Sequence, residues 1–128
     1  LAETVRRRGA ERGLEPAAAA KEAAAFEQGA LTIAVIAAPK PSEKIPEWEQ
    51  LLSAGCACMA LLNAALASGW GANWLTGWTA TDRPFLRAAL DLDEPDFVAG
   101  WIHLGAETAV PPERPRPALD DVATWIAS

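Results

Sequence analysis

The residue types that usually carry chemistry are scarce in this chain. His103 is the only histidine, so a catalytic triad or a histidine-rich metal site has little material. In an extended strand His103 would share a face with Phe97, Ala99 and Trp101, which favours a hydrogen-bonded structural histidine over a catalytic one. No GxxxxGK[ST], HExxH or GxSxG motif occurs. The residues alone therefore assign no catalytic side chain and no metal ligand.

Two further groups have structural interpretations. Cys56 and Cys58 lie two apart in a predicted helix and point to different faces, so they form no redox pair and are expected to be buried small hydrophobic residues. The acidic residues 91–96 lack the spacing and the glycine of a calcium loop, which predicts a solvated loop. The basic run of residues 6–8 could contact phosphate, but a solvated helix face beside acidic neighbours is favoured.

The tryptophans are the most unusual feature, with six among 128 residues and no tyrosine. Trp70, Trp74 and Trp78 surround one predicted helix-to-strand turn that also holds several glycines. Aromatic rings beside accessible backbone suit the walls of a site for a flat, conjugated ligand. Packing in the core or at an interface explains the same residues, and this alternative is favoured on physical grounds alone.

Hydrophobic patterning predicts a mixed α/β layered fold in one domain. The predicted helices cover an exposed N-terminal stretch (2–25) broken at Gly9 and Gly13, then 17–27, 46–68, and a helix capped by Thr81 or Asp82 that runs to residue 90. The predicted strands cover 31–38, which should be buried on both faces, then 72–76 and the buried run 97–104. A proline-rich extended tail (110–117) and a short turn or strand (120–126) follow.

The predicted helix over residues 46–68 is apolar or small on nearly every face. Such a helix must be covered on nearly all sides, and a chain of this size can hardly supply that cover. A second copy of the chain is the economical explanation, with small residues such as Ala60 allowing close approach and the tail (110–126) lying over the partner. Glu47, Glu49, Gln50 and Asn63 argue against a membrane span.

Composition limits the class of protein. The chain is 51% hydrophobic and 22% charged, with a net charge of −6, which excludes a disordered chain and disfavours nucleic acid or an anionic membrane as partner. Two cysteines form no disulfide framework and no secretory signal opens the sequence, so a cytoplasmic location is expected.

Three blocks of the sequence, in order, resemble the nitroreductase family. They are IPEWEQ from Ile45, SAGCA from Ser53, and GWGANWLTG from Gly69, followed by the stretch 83–90 and the strand that ends at Gly105. The resemblance is to the small single-domain branch and runs from about residue 30 to the end. It implies an α+β homodimer with FMN at the subunit interface and the longest helix at the dimer core.

The resemblance also implies an activity and a set of contacts. Family members use NADH or NADPH to reduce the flavin, which passes electrons to nitroaromatics, quinones or related small-molecule acceptors in alternating half-reactions. By position, the FMN contacts would be Trp74, Leu75 and Thr76. The segment for the nicotinamide nucleotide would be Ala64, Ala65, Leu66, Ala67, Ser68 and Gly69.

Two departures from the family pattern accompany this resemblance. Leu75 stands where the similar branch carries an arginine, which removes a phosphate contact. The family's N-terminal RRSxR-type and QPW-type segments have no counterpart here, so the chain is expected to be the C-terminal two-thirds of an FMN enzyme that lacks its first helices. The alternative is a non-catalytic nucleotide-binding or interaction domain that retains the fold.

Overall fold

The computed structural model describes residues 1–110 and 112–126 and shows an α+β fold built on a three-stranded antiparallel sheet. A 3₁₀ turn at Trp78–Ala80 lies between the second strand and the fourth helix. The elements in chain order are α1 (Ala2–Glu11), α2 (Pro16–Gln28), β1 (Leu31–Ala37), α3 (Glu47–Ala67), β2 (Gly71–Leu75), α4 (Arg83–Leu90), β3 (Phe97–Gly105) and α5 (Leu119–Val122). The predicted fold class is confirmed.

β3 is the central strand and pairs with β1 on one side and β2 on the other. Its apolar run is buried along most of its length, as predicted for a central strand. The register with β1 shifts between Val35 and Ile36, where Ala99 has no partner. Because of this irregularity, Val98 and Trp101 reach the same core although they are three residues apart. The strict alternation predicted from Phe97 to His103 is therefore wrong at Ala99.

The main core lies between one face of the sheet and helices α1, α2 and α4. Its fully buried members are Val5, Ala23, Ala80, Phe85, Leu86, Val98 and Trp101. Phe26 and Phe85 both meet the Trp101 ring edge-on, with ring centroids 5.1 Å and 6.4 Å away. Such edge-to-face contacts add to the burial of apolar area. This face of the sheet is closed by the chain's own helices.

The opposite face of the sheet packs against α3, which begins after Pro46 and ends before Ser68, close to its predicted bounds. Only Cys58 and Ala65 of this helix are buried. Its exposed large side chains are Trp48, Leu51, Leu52, Met59 and Leu66. α3 is thus long and apolar but mostly uncovered in the single chain. With a mean hydropathy of 1.6 over 18 residues, it is by length and composition alone sufficient to cross a membrane.

Several sequence-based expectations are corrected by the structure. α1 continues through Gly9, because that glycine lets α2 approach closely: a Cβ there would lie 3.1 Å from the Cβ of Ala19. Gly13, with φ of 75°, does end the helical stretch. β1 is not covered on both faces, because only Ala37 is buried and Leu31 and Ile36 are exposed; it is an edge strand of the sheet.

One of the two cysteines differs from the expectations, whereas the described part of the tail agrees with them. Cys58 is buried, and its burial raises the pKa of the thiol, whereas Cys56 is exposed. In the tail, residues 112–118 form neither helix nor strand, as expected of an extended stretch, and residues 119–122 form the single helical turn α5, which agrees with the turn rather than the strand alternative. The expectations that concern residues 111, 127 and 128 lie outside the described residues.

Candidate functional site

The residues that the sequence singled out lie before β2 and at its end. We call residues 64–69 the helix-end segment and residues 74–77 the strand-end segment. The helix-end segment precedes β2 and the strand-end segment closes it. Four residues, 70–73, separate the two segments, and the three of them that belong to β2 are extended, so the segments lie about 15 Å apart along the chain. The structure therefore does not bring the two segments together in one place within a single chain.

The helix-end segment is an ordinary helix terminus whose carbonyl groups already have partners. The Ser68 amide donates to the carbonyls of Ala64 (3.0 Å) and Ala65 (3.1 Å), and its hydroxyl donates to the Ala64 carbonyl (2.8 Å). Gly69 follows with φ of 81°, the left-handed conformation that glycine adopts at helix ends. All six residues except Ala65 are exposed. Apart from Leu66, the segment offers an accessible surface of small side chains, and it carries no charged group.

Trp74 is the part of the strand-end segment that faces inward. It pairs with Ile102 across the β2–β3 ladder, and its indole lies over Gly100 on the side of α3. A Cβ at position 100 would overlap the indole nitrogen and would lie 2.8 Å from the Cys58 sulfur. Gly100 therefore makes room for the tryptophan ring between the sheet and α3, and the ring has a packing role.

Leu75, Thr76 and Gly77 face outward. All three are exposed. Gly77 has φ of 90°, and no atom other than its chain neighbours would come within 4 Å of a Cβ placed on it. Its backbone is thus open to a flat ring at close range, and the Thr76 hydroxyl can donate or accept a hydrogen bond there. The segment leaves room for a flat ring, whereas residues 70–77 supply no lysine or arginine that could bind a phosphate group.

The three tryptophans of this region do not form one wall. Trp78 turns away from Trp74 and meets Phe85 edge-on at 5.4 Å, with the Arg12 guanidinium 5.1 Å from its ring centroid. Trp70 is 50% exposed. The hypothesis of a shared aromatic site is therefore wrong for the side chains, and the packing interpretation holds for Trp74 and Trp78.

A groove of about 380 Å³ runs beside β2 on the side of α2. Its polar lining residues are Gln28, Asn73, His103 and Glu107, and Leu75 lines the same groove. Asn73 and His103 are directly opposite each other in the β2–β3 register. The groove therefore connects the outward face of the strand-end segment with the only histidine, a proximity that the sequence did not predict.

His103 has a structural hydrogen bond, as predicted. Its Nδ1 lies 3.0 Å from the Thr32 hydroxyl on β1, and its ring meets Phe26 edge-on at 5.1 Å. The side chain is buried, and this burial lowers the pKa of the imidazole, so the neutral form is favoured. A neutral imidazole that bridges two strands stabilises the sheet at the edge of the groove.

A charged cluster around Asp82 follows the strand-end segment in the chain. The Asp82 carboxylate, whose side chain is 4% exposed, accepts from Arg8 Nε at 2.8 Å and from Arg12 at 2.5 Å. It also accepts from the Phe85 amide at 3.0 Å and so caps α4, which confirms one of the two predicted caps. The Arg8 guanidinium is the main reason that the pKa of Asp82 falls to about 2.

This cluster corrects the prediction for residues 6–8. Arg8 is not part of a solvated face, because it pairs with a buried carboxylate. Arg6 does keep to the surface, where it pairs with Glu27 at 2.6 Å. The helix-cap signal at Asp82 was readable from the sequence, but nothing local indicated an arginine 74 residues away as its partner.

Comparisons with known proteins agree on one family. The family model described as "Nitroreductase family" matches residues 1–106. A protein of Escherichia coli (strain K12) named "Putative NAD(P)H nitroreductase YdjA" is 43% identical over 75 residues, which are 59% of this chain and 40% of that protein. A Haemophilus influenzae protein named "Putative NAD(P)H nitroreductase" is 39% identical over 77 residues, 59% of this chain and 41% of that protein.

A solved structure supports the fold. The crystal structure of a nitroreductase-like family protein from Bacillus cereus superposes with a TM-score of 0.75 at 18% identity. The match covers 98% of this chain and 65% of that protein. The matched region thus spans about two-fifths of the curated relatives and somewhat less than two-thirds of the solved relative.

Proposed function

This chain belongs to the nitroreductase family, and we propose that its protein is an FMN-dependent oxidoreductase that uses NADH or NADPH to reduce a small-molecule acceptor. The acceptor class that we propose is the nitroaromatics, quinones and related conjugated compounds. The observation that carries this proposal is the family match over residues 1–106, because it includes both segments that flank β2. The names of the bacterial relatives support the same reaction class.

The proposed flavin contacts are Trp74, Leu75 and Thr76. The outward-facing backbone beside Gly77 supports this assignment, because its positive φ and open surroundings allow a ring to lie against it. When bound, FMN supplies the redox chemistry, taking electrons from the nicotinamide nucleotide and passing them to the acceptor. The residues of this chain would bind and orient the ring, with Trp74 fixing the strand from its inner side.

The proposed contact for the nicotinamide nucleotide is the helix-end segment, residues 64–69. Its small side chains and exposed position leave room for a nucleotide to lie close to the chain. Since the two segments are separated along β2, the flavin and the nucleotide would reach them from different directions. A site between two copies of the chain would satisfy this geometry.

We accordingly propose that the protein is a cytoplasmic homodimer built on α3. The exposed apolar side chains of this helix, among them Leu52, Met59 and Leu66, need cover that the described residues do not supply. The C-terminal Trp125 and Ile126, 79% and 94% exposed, need it too, which supports the tail lying over the partner.

The test is flavin binding by wild-type protein and by two matched glycine variants. Gly77→Ala and Gly13→Ala both place a Cβ at positive φ, and neither meets another atom within 4 Å. Both should therefore cost a similar amount of stability, about 1 kcal/mol. Only Gly77 lies in the strand-end segment, so only Gly77→Ala should weaken FMN binding, measured by quenching of flavin fluorescence.

The visible spectrum and NAD(P)H oxidation complete the test. Wild-type protein expressed from its own gene should be purified yellow and should oxidise NADH or NADPH when FMN and a quinone are added. Absence of both bound flavin and oxidation would contradict the proposal. Nucleotide binding without oxidation would instead favour the non-catalytic domain, an alternative that Leu75 supports because it supplies no charge.

A further inference from the structure

Asp82 connects two parts of the molecule through one carboxylate. One oxygen accepts from Arg8 Nε and from the Phe85 amide, and the other accepts from Arg8 and Arg12. The carboxylate thereby joins α1 to the first turn of α4. Its side chain is only 4% exposed, so the ion pairs are shielded from water and hold a defined geometry.

The same residue is tied to the chain just before it. The Asp82 amide donates to the Trp78 carbonyl at 2.9 Å, and the Ala80 amide donates to the Gly77 carbonyl at 3.1 Å. Arg12, which pairs with the Asp82 carboxylate, also lies over the Trp78 ring. The path from Gly77 to Asp82 is thus fixed by backbone hydrogen bonds at one end and by two arginines at the other.

We propose that Asp82 is a positioning residue for the strand-end segment, and that its ion pairs with Arg8 and Arg12 hold Gly77 in the conformation that contacts the flavin. The inference rests on the proposed function. Gly77 depends on a fixed neighbour more than other residues do, because glycine populates many backbone conformations when nothing restrains it. Asp82 touches neither the strand-end side chains nor the groove beside β2. It acts through the 3₁₀ turn.

The substitution that isolates this role is Asp82→Asn. Asparagine has nearly the same shape and is as good a helix cap as aspartate, so the hydrogen bond from the Phe85 amide can persist. The substitution removes the negative charge, and it replaces the oxygen that accepts from Arg8 and Arg12 with an NH2 group that cannot accept. We expect amide hydrogen exchange at Ala80 and Asp82 to accelerate and the dissociation constant for FMN to rise, each by about tenfold.

Two control variants separate positioning from general stability. Val5→Ala loosens the packing of α1 but leaves the Asp82 ion pairs in place, so it should lower the melting temperature without changing FMN affinity. Arg87→Gln removes the exposed ion pairs of α4 with Asp91 and Asp93, and it should change neither the melting temperature nor the FMN affinity. If Asp82→Asn folds poorly, Arg12→Gln can replace it, because it removes one of the two arginines. It should accelerate amide exchange and raise the dissociation constant for FMN by a smaller factor.

The possible results distinguish the two proposals. If amide hydrogen exchange at Ala80 and at position 82 is unchanged in Asp82→Asn, the positioning role is overturned, whatever the wild-type protein binds. Faster exchange with unchanged FMN affinity would overturn it as well, because the turn would then be independent of the ligand. Absence of FMN binding by wild-type protein would overturn the proposed function, and the exchange data would show separately whether Asp82 fixes the turn.

Discussion

The face of the sheet beneath α1, α2 and α4 holds the largest fully buried side chains, including Trp101, Phe85 and Leu86. The face beneath α3 buries Cys58 and Ala65 of that helix, while Trp48 and Leu52 of α3 remain about 60% exposed. The first face is closed by the chain itself, and the second is covered by a helix that is itself uncovered. Folding stability should therefore depend mainly on the first face, and association on the second.

The largest effect is expected at the closed face. Trp101→Ala removes a fully buried ring that contacts Phe26 and Phe85, so the free energy of unfolding should fall by about 3–5 kcal/mol. Urea denaturation followed by circular dichroism measures this change. A loss below about 1 kcal/mol would mean that the closed face is not the main source of stability.

The inner surface of the α3 face should respond less strongly. Gly100→Ala places a methyl group against the Trp74 indole and the Cys58 sulfur, and such overpacking costs about 1–3 kcal/mol. Gly55→Ala is the matched control, because a Cβ at that α3 position meets no other side chain within 4 Å and helix propensity favours alanine. Equal losses for both variants would contradict the tight fit of the Trp74 indole and the Cys58 sulfur over Gly100.

Acid should weaken the closed face through Asp82. The pKa of this carboxylate is about 2 in the folded chain against an ordinary value of 3.8. Its stabilising contribution is therefore complete above about pH 4 and is lost as the pH falls toward 2, at a cost of roughly 2 kcal/mol. Chemical denaturation at pH 5 and pH 2.5 should show a smaller loss for Asp82→Asn than for wild-type protein. Equal losses would contradict the assignment.

The smallest effect on folding is expected at the outer surface of α3. Ala60 is exposed, so Ala60→Glu should change the unfolding of the single chain by less than about 0.5 kcal/mol. The same substitution should prevent dimerisation, because a carboxylate would be buried without a partner at a helix–helix contact. Light scattering after size-exclusion chromatography compares the two proteins. A monomeric wild-type protein with stoichiometric flavin would contradict the proposed dimer.

The parts of the fold that the sequence predicted depend on local signals. Pro46 and Gly69 mark the ends of α3, and Asp82 with Pro84 marks the start of α4, because capping and backbone preference act within a few residues. The continuous apolar run of β3 likewise indicated a buried strand.

The parts that were missed depend on contacts between distant residues. Gly9 is helical because Ala19 packs against it, and Arg8 is half-buried because it meets Asp82. The unpaired Ala99 exists only in relation to the register of β1. The candidate site divides in the same way. The strand-end segment was predicted from its position in the family resemblance, whereas the groove that joins it to His103 depends on how β2 and β3 align.

The edge position of β1 affects how this protein aggregates when it is destabilised. Its seven residues, LTIAVIA, contain no charge and no proline, and Leu31 and Ile36 remain exposed on the folded chain. Short uncharged segments rich in β-branched residues are the sequence type that assembles into intermolecular cross-β sheets. Pairing with β3 sequesters one edge of this segment. Substitutions that detach β1 should therefore produce aggregates before they produce soluble unfolded chains.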